Sequence, residues 1–104
     1  METELTKRVT ESLNELVDEE TSRKFKELNI ITEVAEREEG AVEVRFQTLS
    51  PYSPLAVDIG RGIRRAALSV DGVKSVRVEC SGHMMDDLVN KLANKEEIRQ
   101  NKPE

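Results

Sequence analysis

The side chains of this chain that could do chemistry fall in two short stretches, T-L-S-P-Y-S-P at 48–54 and C-S-G-H at 80–83. In the second, Cys80 and His83 are the only cysteine and the only histidine, with two residues between them as in half of a metal site. Zinc or iron asks for four ligands, of which this pair supplies two. A symmetric homodimer could bring two such pairs together, and Met84 and Met85 add soft sulfur nearby. The other reading makes Cys80 a small hydrophobe that ends a buried strand. Met84 and Met85 then belong to the core, and His83 precedes the last helix. Spacing alone leaves both readings open.

In the first stretch, Ser53 is placed to be the N-cap of a helix, with Pro54 at the first helical position. The first turn of such a helix presents free N–H groups and the positive end of a dipole to the loop. An anion, a thiolate or a cluster is held at such a place. Thr48, Ser50, Tyr52, Ser53 and Pro54 therefore form the candidate loop site. Ser53 as a nucleophile would need His83 as its base, and no Gly-x-Ser-x-Gly elbow surrounds it. Tyr52, the only tyrosine, is either an interface anchor or a cover for the sheet edge. Asp58, Asp86 and Asp87 are too scattered for paired-carboxylate chemistry. Gly60-Arg61-Gly62 has neither the spacing of a phosphate loop nor a strand before it. Its small residues would instead let another helix or chain come close. No complete catalytic constellation emerges, so the expectation is a protein that is not an enzyme.

One hundred and four residues with one cysteine make one domain without an internal disulfide. Aromatic residues are 3% of the chain, so the core must be aliphatic. A net charge of −5 counts against nucleic acid as the main partner, because phosphate recognition needs a basic surface. Arg61, Arg64 and Arg65 are the local exception and read first as the solvated face of a helix. The start of the sequence lacks the pattern of a signal peptide, and no apolar run reaches the length of a membrane span. The expected location is the cytoplasm, with no membrane partner.

The elements that must position these residues follow from periodicity. Leu5, Val9, Leu13, Leu16 and Val17 recur at helical spacing and predict an amphipathic helix over 4–17, capped by Thr3. Residues 18–27 read equally as a loop or a short helical turn. Residues 30–36 and 41–49 are strand-like and joined through Glu38-Glu39-Gly40, a connection short enough for a hairpin. Leu55, Ile59, Ile63, Ala66, Ala67 and Val70 form one helical stripe, which Asp71-Gly72 ends. Val76, Val78 and Cys80 alternate with Arg77 and Glu79 as a third strand. Met84, Met85, Leu88, Val89 and Leu92 mark a last helix. The expected fold is an α+β, two-layer single domain over 1–93, in the order α-β-β-α-β-α. It has a three-stranded sheet, a hairpin plus a third strand, with helices packed on one face. A polar tail covers 94–104.

Three segments in register, L-N-I-I-T-E-V at 28–34, T-L-S-P-Y-S-P-L-A at 48–56 and D-G-V-K-S-V-R-V at 71–78, carry a family resemblance. The chain resembles the iron–sulfur cluster assembly domain, also called the PaaD-like or metal–sulfur cluster biosynthesis family, over about residues 10–92. Asp18-Glu19-Glu20 stands where that family usually has Asp-Pro-Glu. The resemblance implies a three-stranded α+β fold and a maturation factor that assembles or delivers iron–sulfur clusters. Its partners would be the assembly machinery or client proteins, and its cargo a transient cluster, iron or zinc. Family members carry a cysteine just before the helix-starting proline, where this chain has Ser53. A thiolate there would be a good iron ligand, whereas a serine hydroxyl is a poor ligand for soft metals. The alternative is a nucleic-acid or ribosome-associated module acting through Arg61, Arg64 and Arg65. It lacks the Gly-x-x-Gly loop of such modules.

Overall fold

Leu5, Val9 and Leu13 lie four residues apart, and this stripe gives the first helix one buried side. The computed structural model describes residues 2–95. In it the helix α1 spans Glu4–Asn14 and starts at a reciprocal cap: the Thr3 hydroxyl accepts the Thr6 N–H, and the Thr6 hydroxyl accepts the Thr3 N–H. The helix ends three residues before the expected 17. The chain turns sharply there, and Val17 bridges to Lys24. Asp18 closes that turn, its Oδ2 accepting both the N–H and the hydroxyl of Thr21. Residues 18–27 are thus a closed turn leading into a one-turn helix, α2 (Phe25–Leu28), which buries Phe25. Asn29, left-handed at φ 54°, ends α2.

Strands β1 (Ile31–Glu38) and β2 (Ala41–Gln47) form the expected antiparallel hairpin around Gly40. After helix α3 (Ala56–Leu68), strand β3 (Ser75–Ser81) pairs with β2 in parallel. The result is an α+β domain with a mixed three-stranded sheet in the order β1-β2-β3, closed by helix α4 (Asp86–Ala93). Val42, Val44 and Phe46 of β2 sit opposite Val76, Val78 and Cys80 of β3, and all six are buried. They share one continuous core with Leu13, Ile63, Ala67, Val89 and Ala93 of the helices. The other face carries charge: Arg45 lies between Glu33 and Glu79, and Arg37 pairs with Glu43. The alternation of period two in β2 and β3 decides this partition.

Gly60 explains how close α4 lies to α3. A Cβ built on it would stand 2.8 Å from the Ala93 Cβ and 3.2 Å from Phe46 Cζ. A Cβ on Gly62 would meet nothing within 4 Å. One of the two helix glycines is therefore required by packing inside the chain, and the other faces open space.

The last helix departs most from expectation. It begins at Asp86, so Met84 and Met85, expected within it, precede it; both are exposed, as is Leu88, and Val89 and Ala93 are its buried apolar residues. Its inner face is partly polar because it serves the free edge of β3. The Asn94 amide donates to Val78 O and accepts Val78 N–H, both at 2.7 Å. Asn90 does the same to Cys80, accepting its N–H at 2.6 Å and donating to its carbonyl at 3.4 Å. Residues four apart on a helix thus meet residues two apart on a strand, and each side-chain amide stands in for a missing strand. Asn94, read from sequence as the start of a polar tail, is the C-cap of α4 and part of the fold. Residues 96–104, the rest of that tail, lie outside the described residues.

Candidate functional site: the loop before α3 and its brace

The two prolines make the segment between β2 and α3 an irregular loop, and its own side chains satisfy its backbone. The Thr48 hydroxyl donates to Ser50 O at 2.7 Å, and Ser50 Oγ accepts the Tyr52 N–H at 3.1 Å. Ser53 N–H donates to Ser50 O at 3.2 Å. Regular helix begins at Ala56 with Leu55 in the cap position, so the start expected at Pro54 moves two residues along. Ser53 Oγ nevertheless accepts the Leu55 N–H at 3.3 Å, a capping bond made to the turn that precedes the helix. Pro54 and Leu55 form that turn, and this sets the offset. Ser53 is buried, and Pro54 is exposed.

A second loop, between β3 and α4, braces the first. Met84 N–H donates to Pro51 O at 2.9 Å. His83 Nδ1 accepts the Met85 N–H at 3.0 Å, so that nitrogen carries no proton and Nε2 is the donor to Ser53 O, 3.0 Å away. Asp86 holds this second loop from below, accepting the N–H of Gly82 at 3.1 Å and of His83 at 2.8 Å. The fold brings Ser53 and His83 together, but the ring meets the serine carbonyl and not the hydroxyl that a nucleophile would use. The pair is a clamp between loops.

Cys80 and His83 do not converge as ligands. Both ring nitrogens of His83 are engaged with backbone groups. Cys80 is 2% exposed, and burial, reinforced by the neighbouring Asp86 carboxylate, pushes its thiol up to about 11. The thiol is therefore protonated near neutral pH, and a metal binds the thiolate. Among the described residues no group of three or more His, Cys, Asp or Glu side chains could hold a metal ion. These donors do not fit a cluster held by this chain alone.

The braced loops expose apolar side chains. Tyr52 is 69% exposed, Met84 67% and Met85 51%, with Leu88 exposed in the first turn of α4. Met84 is tied through its N–H to Pro51, the residue before Tyr52. The exposed methionines and the Asp86 anchor escaped sequence reasoning. The spacing of Asp86, three residues after His83, is the only local signal that could have disclosed the anchor. The arginines of α3 are partly committed elsewhere. Arg61 Nε donates to Leu92 O at 3.4 Å, and Arg64 Nε to Val76 O at 3.2 Å, bracing α4 and the β3 edge.

A mixed three-stranded sheet under one layer of helices, with a braced loop before the middle helix, defines the class of protein. Residues 6–80 match the family model described as "Iron-sulfur cluster assembly protein", and the chain belongs to that family. It is 25% identical over 89 residues to an uncharacterized protein of Methanocaldococcus jannaschii, covering 86% of this chain and 94% of that one. The crystal structure of a domain of unknown function, DUF59, from Bacillus anthracis has the same fold. It superposes with a TM-score of 0.67 at 19% identity, over 74% of each chain. Among the described residues no helix is long and apolar enough to cross a membrane.

Proposed function

We propose that this chain is a non-enzymatic factor in iron–sulfur cluster assembly or delivery that works by docking. Its partners are then cluster-assembly proteins or their clients, in the cytoplasm, and the cluster is cargo that other chains ligate. The family membership supports the area of work. The observation that carries the rest is the combination of a braced backbone with an exposed apolar surface. Loop 48–54 is held by Met84 N–H and His83 Nε2, while Tyr52, Met84 and Met85 stand out in solvent. Fixing the loop beforehand lowers the entropy lost on binding. Tyrosine and methionine are enriched at interfaces, and methionine adapts to varied partner surfaces.

The test pairs a pull-down from the native cytoplasm with an anaerobic reconstitution. Tyr52→Ala and Met84→Ser are expected to leave the circular dichroism spectrum unchanged. Both should reduce recovery of cluster-assembly or client proteins at least fivefold. Wild-type protein reconstituted alone with iron and sulfide should hold far less than one cluster per chain. Full recovery of partners by both variants would sink the docking surface. A stoichiometric cluster that disappears in Cys80→Val would instead make the chain a carrier.

A further inference from the structure

The early end of α1 opens a cleft that the loop site does not use. It lies between the 15–19 turn, α2 and the first half of α3, with apolar walls from Leu16, Val17, Phe25, Leu55 and Ile59. Asp18, Glu19 and Asp58 also line it. None of these three carboxylates has a basic partner among the described residues. Asp18 is only 2% exposed, yet just one of its oxygens is satisfied: Oδ2 takes both bonds from Thr21, and Oδ1 has no donor among the described residues. A buried carboxylate oxygen without a donor is costly, and a cation with N–H groups is what would satisfy it. The floor at Gly62 has room to spare, since a Cβ there would meet nothing within 4 Å.

We propose that this cleft receives a lysine side chain from a partner protein. Its apolar walls would take the methylene stem, and Asp18 and Asp58 the ammonium group. Lysine suits such a place because its stem packs on apolar surface while its head seeks charge. The net charge of −5 favours approach of a basic segment. The inference does not depend on the loop surface around Tyr52.

The probe is the dipeptide acetyl-Leu-Lys-amide, titrated into the 15N-labelled full chain while amide shifts are followed. Saturable shifts are expected at Val17, Asp18, Ile59 and Gly62. The same peptide with its lysine Nε acetylated should bind at least fivefold more weakly, the factor carried by about one partly exposed ion pair. Asp58→Asn should weaken binding by a similar factor. Gly62→Leu, which fills the floor without touching a charge, should abolish the shifts while the rest of the spectrum stays folded. Absence of saturation in the wild type, equal binding of the acetylated peptide, or wild-type binding by Gly62→Leu would each overturn the assignment. An equal response to cadaverine at matched concentration would overturn docking in favour of a small-amine site.

Discussion

Ser53 uses three groups to fix one loop. Its N–H bonds Ser50, its hydroxyl takes the Leu55 N–H, and its carbonyl receives the His83 ring. Only the hydroxyl depends on the side chain, so Ser53→Ala should cost about 1 kcal/mol, the usual worth of a capping bond. Urea unfolding would measure it, and a change in the m-value would show that more than the bond was lost. Cys80 gives a second residue-scale expectation. With the thiol pushed up to about 11, iodoacetamide at pH 8 should label the native protein far more slowly than the urea-unfolded chain. Folding holds this thiol above its ordinary value of 9.0, so the associated stability is complete below pH 9. It is lost as the pH rises towards 11. Equal labelling rates for folded and unfolded protein would contradict the burial of Cys80.

At the scale of elements, the β3 edge is the feature that most needs its neighbours. Asn90 and Asn94 are neutral side chains on a helix, and on sequence alone they look like solvated positions. They instead complete the hydrogen bonding of two strand residues. Asn94→Ala would leave both Val78 groups without partners, and about 2 kcal/mol of stability should go with them. Native-state amide exchange at Val78 should accelerate in step, while Lys91→Ala, on the exposed side of the same helix, should leave both quantities unchanged. If Asn94→Ala is as stable as wild type, water serves that edge as well as the amide does. The opposite edge is protected differently. β1 carries register shifts between Ile31 and Glu33 and between Glu36 and Glu38, and its charged residues discourage a further strand.

At the scale of the molecule, Glu36 ties the first helix to the hairpin. Its carboxylate accepts the Gly40 N–H at 2.8 Å and the Thr3 hydroxyl at 2.7 Å. The Gly40 bond, then the Thr3 bond, holds it below the ordinary 4.5. A carboxylate lowered by folding stabilises the native state above its unfolded value, and that contribution fades as the pH drops further. Melting temperature should therefore decline below about pH 4.5, and Glu36→Gln should flatten that decline. An unchanged acid limb in Glu36→Gln would place the acid sensitivity elsewhere.

Periodicity was enough for the buried faces of the elements, though not for the end of α1 or the start of α3. The stripe Leu5, Val9, Leu13, the alternation of Val42, Val44 and Phe46, and that of Val76, Val78 and Cys80 each fixed a buried face, because burial follows the 3.6- and 2-residue repeats of the backbone. The hairpin at Gly40 and the cap at Thr3 were legible for the same local reason. The family was legible too, from three short segments whose order and spacing the fold requires. What lay beyond sequence was every contact made across the sheet. The place of His83 on Ser53 O, 30 residues apart, and of Asn90 and Asn94 on β3 depends on where parallel pairing of β2 with β3 puts α4. That same placement turned Met84 and Met85 outward. An apolar side chain looks the same in sequence whether it is buried or, like Leu88 on α4 and the two methionines before it, left outside by a helix that spends its inner face on a strand edge, and only the tertiary structure chose between the two.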